Sequence, residues 1–217
     1  MRYYISDQHF YHERLNTHMD CRGFPDVSAM NTYMISQWNS RVRKKDEVVI
    51  LGDFSWANAQ LTGDLLRQLK GKKYLILGNH DHFVDMKGFD HSLLEWVGSY
   101  REMNDEGRKV VLSHYPIMCY NKQYRKNREG IPTTYMLYGH VHNTYDEILV
   151  DQYIRNVENQ LRETKHSKGE EEIPIQMINC FCMFSDYVPL TLDEWIETDR
   201  KRRMQLREKE RGDNYAK

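Results

Sequence analysis

The sequence has little of what marks several large classes of protein. Its 217 residues carry a formal net charge of −1, which argues against an overall basic surface for nucleic acid. No stretch approaches the roughly 20 consecutive apolar residues of a membrane span. The first residues also lack the charged-then-apolar layout of a secretory signal. We therefore expect a cytoplasmic protein with no membrane partner.

Cysteine is scarce, and the chain has no internal repeat or low-complexity linker. The four cysteines include no C-x-x-C pair. Cys180 and Cys182 are two positions apart in an apolar run, so in a strand they would point to the same face. This pattern favours reduced cysteines over a disulfide framework or a zinc ribbon. We expect one domain spanning residues 1–217, a length that needs no disulfide to fold.

Short apolar runs recur along the chain, several of them rich in Val, Ile or Tyr, which favours buried strands. They cover residues 2–6, 47–51, 74–77, 109–113 and 135–138, with a later run at 173–183. Apolar residues at steps of three and four predict helices over 26–45, capped by Asp26, and over 58–69. Strand and helix therefore alternate, which predicts an α/β fold with a parallel core sheet and a second, more mixed sheet.

Two charged stretches also read as helices. Residues 144–165 predict a partly buried helix that leads into a solvated loop at 166–172. Residues 192–211 predict a charged helix in which Glu197–Lys201 and Asp199–Arg203 are opposite charges four positions apart. This favours a solvated, self-paired helix over a nucleic-acid arm.

Metal-capable side chains follow five of the predicted strands. Because the carboxyl ends of parallel strands meet at one edge of a sheet, we expect these side chains to converge on one rim. A mixed set of oxygen and nitrogen ligands suits Mn, Fe, Zn, Co or Ni better than Mg or Ca. In chain order the groups are Asp7-Gln8-His9, Gly52-Asp53, Gly78-Asn79-His80-Asp81, His114 and Gly139-His140-Val141-His142.

Each of these motifs is ordinary when taken alone. An isolated Asp-x-His or Gly-Asp is usually a surface turn, and an isolated histidine is usually structural. What is not ordinary is five motifs in order, each directly after its own predicted strand. The histidines that stand outside the pattern are expected to be structural; they are His18, His82, His91 and His166.

The ordered set D-x-H, G-D, G-N-H-D, H, G-H-x-H resembles the calcineurin-like metallophosphoesterase superfamily. Its small prokaryote- and phage-type phosphohydrolase branch is similar over nearly the whole chain, most clearly at residues 7–12, 38–42, 51–54, 112–116, 139–143 and 188–194. The resemblance implies a four-layer α/β/β/α sandwich with two mixed β-sheets and a metal site at the C-terminal ends of the strands. Against this branch, the helix predicted at 144–165 looks like an insertion.

The same resemblance implies a centre of two divalent metal ions, with Mn²⁺ as the first expectation and Fe, Zn, Co or Ni as alternatives. A carboxylate has two oxygens and can span two cations, whereas imidazole and amide groups each serve one. The implied ligands are Asp7, His9 and His142 for one metal, Asn79, His114 and His140 for the other, and Asp53 as the bridge.

Catalysis is expected from a hydroxide that bridges the two metals and attacks a phosphate ester. His80 adjoins a ligand in the sequence, and the resemblance assigns it to stabilising the transition state or protonating the leaving oxygen. Asp81 is expected to orient His80.

Several alternatives stay open from the sequence. The G-D-F-S-W stretch lacks the Arg that protein phosphatases of this superfamily place after G-D, which favours small phosphate mono- or diesters, nucleotides included. The loop at 121–134 carries basic and aromatic residues at 122–128, which could steer a nucleotide over the site or simply be solvated. The rival functions are a nuclease on the same centre and a non-catalytic metal-binding scaffold. The oligomeric state is open.

Overall fold

The computed structural model describes residues 1–163, 169–172 and 175–215, with side chains as far as residue 208. A first sheet contains β1 (Arg2–Ile5), β2 (Glu47–Ile50), β3 (Lys72–Ile76) and β4 (Trp96–Gly98) in that order, and every pair of neighbours is parallel. The expectation that both sheets are mixed is therefore wrong for this one. The reason is that a crossover returns the chain to the same end of the sheet before each new strand.

The two crossover helices start where the sequence predicts. Helix α1 (Val27–Arg41) is capped by Asp26, whose Oδ1 accepts a hydrogen bond from Ala29 N at 2.7 Å. Helix α2 (Ala59–Gln68) is capped in the same way by Asn58. The prediction placed the end of α1 at residue 45, but the helix stops four residues earlier. A turn closed by the bond from Arg43 N to Asp46 Oδ2 (2.8 Å) leads from there into β2.

The second sheet is mixed, as predicted. Its order is β10–β7–β6–β5, in which β6 (Arg108–Ser113), β7 (Thr134–Tyr138) and β10 (Met177–Asn179) are parallel and β5 (Tyr100–Asp105) is antiparallel to β6. The hairpin turn between β5 and β6 has positive φ at Glu106 and Gly107, the geometry of a type I′ turn.

Strands β4 and β5 were missed from the sequence because most of their side chains are only half-buried and no metal-capable motif follows them. The apolar run predicted at 173–183 contributes only the three residues of β10, after which Cys182–Ser185 forms a 3₁₀ turn. Residues 173 and 174 of that run lie outside the described part of the chain. All four cysteines lie inside it and are free.

Three apolar clusters surround the sheets. One packs α1 and α2 against one face of the first sheet, and it includes Trp38, Leu65 and Ile50. The second cluster lies between the sheets and joins Val49 to residues of β6, β7 and β10. Because neighbouring strand residues point to opposite faces, Ile50 and Val49 belong to different clusters. The third cluster packs the far side of the second sheet against the helix that follows β7.

That helix, α3 (Tyr145–Glu158), is shorter than the predicted 144–165. The chain continues into β8 (Leu161–Arg162), which pairs antiparallel with β9 (Glu171–Glu172) inside the loop predicted at 166–172. The last two residues of the predicted helix and the first three of the predicted loop lie outside the described residues.

The C-terminal helix α4 (Leu192–Tyr215) makes the two predicted ion pairs, Lys201–Glu197 at 3.2 Å and Arg203–Asp199 at 2.8 Å. It is not solvated on every side, however. The buried Arg203 also donates to Asp151 Oδ1 of α3 at 2.8 Å, so this face of α4 ties the two helices together. None of the described helices is long and apolar enough to cross a membrane.

Candidate metal centre

The predicted ligands come together in two groups. Asp7, His9 and His142 form the first, and Asp53, His114 and His140 form the second; within each group the potential ligand atoms all lie within 4.8 Å of one another. The remaining predicted ligand lies beside the second group. Asn79 Oδ1 is 3.1 Å from His114 Nε2 and 3.0 Å from His140 Nδ1.

Left-handed backbone turns the ligand side chains inward from the strand ends. Residues other than glycine rarely adopt positive φ because this conformation costs energy. It persists where surrounding contacts enforce it, and such positions are common at functional sites. Backbone bonds between neighbouring loops hold the conformation, among them Asp7 N to Gly52 O (3.0 Å) and His9 N to Asp53 O (2.9 Å). The positive φ values are 57° at Asp7, 49° at His9, 53° at Asp53, 70° at His140 and 48° at His142.

Three motif glycines make room for these side chains. A Cβ atom at any of them would overlap a predicted ligand. This explains why each of these motifs begins with a glycine. The overlaps would be 2.3 Å to His114 Nδ1 from Gly52, 2.2 Å to Asp53 Oδ1 from Gly78 and 2.4 Å to Asp7 Oδ2 from Gly139.

Asp53 lies between the two groups. Its Oδ2 is 3.4 Å from His9 Nε2 in the first group and 3.5 Å from His114 Nε2 in the second. Its Oδ1 accepts a hydrogen bond from His80 N at 2.9 Å. Burial acts to raise the pKa of Asp53, but the hydrogen bond and charge of His114 outweigh burial and lower this pKa. The carboxylate is therefore ionised and within reach of both groups.

The donor set fits divalent cations. Both ring nitrogens of the buried His9 lack a hydrogen-bond partner among the described residues, and burial lowers its pKa well below the usual value. A neutral imidazole with unsatisfied nitrogens suits a metal ligand. His114 Nδ1 lies 2.8 Å from Leu51 O. Because a carbonyl oxygen only accepts, Nδ1 carries a proton, and Nε2 is the ring nitrogen that faces the centre.

Two further residues support the first group and were missed from the sequence. Asp20 Oδ1 lies 2.7 Å from His142 Nδ1, and Asp20 pairs with the buried Arg22 at 2.8 Å. Arg22 in turn donates to Asp7 O at 2.9 Å and to Gln8 O at 2.6 Å. Burial acts to lower the pKa of His142, but the contacts with Asp20 and Asp7 raise it to about 9. Neither Asp20 nor Arg22 belongs to a motif, so no sequence signal marks them.

His80 lies at the edge of the centre, outside both groups. Its Nε2 is 4.0 Å from Asp53 Oδ2, and its side chain is 34% exposed. Asp81 does not take the predicted part of orienting this ring. Its carboxylate instead accepts hydrogen bonds from Asp53 N (2.9 Å), Phe54 N (2.8 Å) and Gly78 N (2.8 Å), and so ties two motif loops together. Burial raises the pKa of Asp81 to about 6.

A cavity of about 920 Å³ opens onto both groups. Beyond the predicted ligands and His80, its wall includes His12, Trp56 and the side chains of residues 13–15. None of residues 121–134, all of them described, lines it. Lys126 of this loop instead donates from Nζ to Glu172 O at 2.8 Å, which disfavours the alternative that the loop steers a nucleotide over the site.

The histidines set aside in the sequence analysis stay apart from the centre. His18, His82 and His91 are exposed and do not line the cavity. His166 lies outside the described residues. A larger groove of about 1350 Å³ runs along residues 39–46 and 67–71 and contains none of the predicted site residues.

Comparison with known proteins identifies the family of this chain. The calcineurin-like phosphoesterase superfamily domain matches residues 3–157. An uncharacterized protein of Methanocaldococcus jannaschii is 34% identical over 148 residues, which are 67% of this chain and 72% of that protein. The Gene 66 protein of Mycobacterium phage D29 is 29% identical over 162 residues, 65% of this chain and 78% of that protein.

A crystal structure of a protein of unknown function from Aquifex aeolicus has the same fold. It superimposes with a TM-score of 0.60 and 23% identity, and the match covers 89% of this chain and 96% of that one. The chain therefore belongs to the calcineurin-like phosphoesterase superfamily and has relatives of archaeal and phage type, as its motifs predict.

Proposed function

We propose that this protein hydrolyses small phosphate mono- or diesters at a centre of two divalent cations. The observation that carries the proposal is the position of Asp53, whose carboxylate lies 3.4 Å and 3.5 Å from a histidine of each group. The first cation would be held by Asp7, His9 and His142, the second by Asn79, His114 and His140, and Asp53 would bridge them.

Two such cations, when bound, would lower the pKa of a water and offset the charge that develops on the phosphoryl oxygens. The protein's own residues supply position and protons. Asp20 holds the His142 ring through Nδ1, and Leu51 O does the same for His114, so each ring presents Nε2 to the centre. His80, partly exposed on the cavity wall, donates a proton from its ring to the leaving oxygen.

The ligand types, the packing of the sheets and the sequence also support a metal, an architecture and a location for this protein. The mixed oxygen and nitrogen ligands favour Mn²⁺, with Fe, Zn, Co or Ni as alternatives. The three apolar clusters support a four-layer α/β/β/α sandwich in one domain over 1–217, with the centre at the C-terminal ends of its strands. A cytoplasmic location rests on the sequence alone.

The rival functions make different demands on the same cavity. A nuclease needs a basic channel along the strand, whereas the described lining contains one guanidinium, Arg14, beside Glu13, Asp20 and Asp146. A non-catalytic scaffold needs only the metal ligands. Metal binding alone does not require a proton donor on the cavity wall, so the presence of His80 there favours an enzyme.

The test is hydrolysis of bis-p-nitrophenyl phosphate beside p-nitrophenyl phosphate, with Mn²⁺ or with a chelator. We expect chelator-sensitive turnover that falls by on the order of 10²–10³-fold in Asp53→Asn, as when one stabilising group is removed from an active site. Asp64→Asn, on the exposed side of α2, is the matched control and should keep full activity.

The ratio of the two rates chooses between a diesterase and a monoesterase. Turnover that survives both the chelator and Asp53→Asn would refute the two-metal mechanism. Two metals bound per chain with neither ester hydrolysed would favour the scaffold.

A further inference from the structure

One wall of the cavity is an aromatic stack that the proposed chemistry does not use. The Trp56 and His12 rings lie nearly parallel, 9° apart, with centroids separated by 4.2 Å. Trp56 also approaches the His80 ring at 4.7 Å. The indole remains 49% exposed although the fold buries most of its other large aromatic rings. His12 therefore supports one face of Trp56, and the indole keeps a large free surface toward the cavity.

A backbone hydrogen bond fixes the position of Trp56. Trp56 N donates to Phe10 O at 2.9 Å, which anchors the loop after β2 to the loop after β1. Phe10, whose carbonyl accepts that bond, is buried and packs on the buried Phe54 with ring centroids 5.3 Å apart. A large aromatic ring on a rigid support loses little conformational entropy when a ligand packs on it, so such a ring is a favourable binding surface.

The aromatic stack lies close to the residues that would hold the reacting phosphate. His80 lies between Trp56 and Asp53, 4.7 Å from the indole by ring centroids and 4.0 Å from the Asp53 carboxylate by its Nε2. A phosphate ester held at the two groups would therefore have Trp56 within reach of its organic part. This ties the aromatic wall to the ester group rather than to the phosphate.

The charged residues that line the cavity indicate which kind of organic group the site would bind. Apart from the ligands and His80, the charged groups that line the cavity are Arg14 and the acidic Glu13, Asp20 and Asp146. This surface gives little attraction to further phosphates, which disfavours polymers and polyphosphates. A neutral, planar group is the kind of substituent that an indole face binds well.

We propose that Trp56 is a substrate-binding platform on which the proposed phosphoesterase stacks a planar aromatic group of its ester, such as a nucleotide base. This inference rests on the proposed function, since it uses the same centre to hold the phosphate. It makes Trp56 a residue that determines specificity and leaves the hydrolytic groups as assigned.

Tyr115 is the competing platform. It is also 49% exposed, and its ring lies 4.4 Å from that of His140. Its hydroxyl is 3.4 Å from Asn79 Oδ1, but it does not line the cavity. Substitutions at the two positions therefore separate the proposed platform from a general effect of aromatic rings near the centre.

The test compares AMP with ribose 5-phosphate, each as its phosphonate analogue, in which a P–C bond cannot be hydrolysed, titrated calorimetrically into the Mn²⁺-loaded full chain. Both ligands carry the same phosphonate and sugar, so the ratio of their Kd values isolates the base. We expect the AMP analogue to bind about 10-fold more tightly, which is in the range of one base stacked on an aromatic side chain. Trp56→Ala should bring the two Kd values within about 2-fold of each other, and Trp56→Phe should keep most of the difference.

The Tyr115→Ala variant should keep the wild-type ratio. Because each ratio is taken within one variant, partial loss of stability does not imitate the result. Equal Kd values in the wild type, no binding of the AMP analogue, or an unchanged ratio in Trp56→Ala would overturn the inference. Calorimetry needs no turnover, so the inference can fail while chelator-sensitive hydrolysis stands, and the reverse also holds.

Discussion

Gly78 offers a direct probe of how closely the centre is packed. Its φ lies outside the left-handed region, so alanine strains no backbone there and acts through contact alone. The added Cβ would lie 2.2 Å from Asp53 Oδ1 and 2.4 Å from Asp53 N. Carbon and oxygen atoms ordinarily keep about 3.3 Å or more apart. Asp53 must therefore move by about 1 Å, and the bond it accepts from His80 N is lost or lengthened.

The size of the effect follows from that displacement. Misplacing a reacting group by about 1 Å costs about 10²-fold in rate, so we expect kcat/KM of Gly78→Ala to fall by about that factor for bis-p-nitrophenyl phosphate. Overpacking also costs about 1–3 kcal/mol of stability. For a chain of this size, that lowers Tm by roughly 2–12 °C. Activity must therefore be measured well below the Tm of the variant.

Gly63→Ala is the matched control, since it makes the same chemical change in the interior of α2. There the Cβ would meet Arg67 Nη1 at 3.4 Å and Leu93 Cδ1 at 3.6 Å, which are ordinary contacts. Replacing a helical glycine by alanine stabilises by about 0.5–1 kcal/mol, so Tm should rise while kcat/KM stays unchanged. Wild-type kcat/KM and metal affinity in Gly78→Ala would refute the role given to Asp53.

Four further perturbations test other parts of the structure. Asp20→Asn should weaken Mn²⁺ binding measured by calorimetry about 10–100-fold, because His142 loses the carboxylate that orients it. Arg203→Met should destabilise the fold in urea by about 3 kcal/mol, because it removes a buried guanidinium shared by Asp151 and Asp199, each of which keeps one other arginine partner. Saturation with Mn²⁺ at 100 times its Kd should stabilise the protein by about 2.7 kcal/mol, and chelator should reverse the rise in Tm. Lys109 lowers the pKa of Glu102 from 4.5 to about 2. The stability that wild type has over Glu102→Gln should therefore be present above pH 4.5 and disappear as the pH falls toward 2.

Matched controls exist for the two structural substitutions. Asp26→Asn removes a charge from the N-cap of α1, where Asn caps as well as Asp, and should leave Mn²⁺ affinity unchanged. Arg200→Met removes an exposed member of an i,i+3 pair and should leave the urea midpoint unchanged. Equal Mn²⁺ affinity in Asp20→Asn, or equal urea midpoints for Arg203→Met and Arg200→Met, would contradict the corresponding argument. A Tm that does not respond to Mn²⁺ would contradict a metal centre.

Much of the centre could be read from the sequence because of how parallel sheets are built. Each strand of a parallel set ends at the same edge, so side chains that follow successive strands converge even when the strands are far apart in the chain. That is why Asp7, Asp53 and His140 were predicted to meet. The contact between Asp20 and His142 joins residues 122 positions apart and follows no strand, so no local pattern reports it.

Features that depend on near neighbours could be predicted from the sequence. These include the cap at Asp26, the start of α2 at Asn58, the apolar strands, and the motif glycines that precede Asp53 and Asn79. A cap or a turn needs only residues a few positions away, so its signal is written within one short segment.

Contacts that depend on how whole elements pack became visible only in the folded chain. The fold placed Trp56 on His12, buried Arg22 beneath the loop that carries Asp7, and turned Asp81 toward the backbone rather than toward His80. Each of these contacts depends on the distance and angle between two loops that are apart in the sequence. Packing of the sheets and helices sets those quantities, and no segment of the sequence encodes them alone.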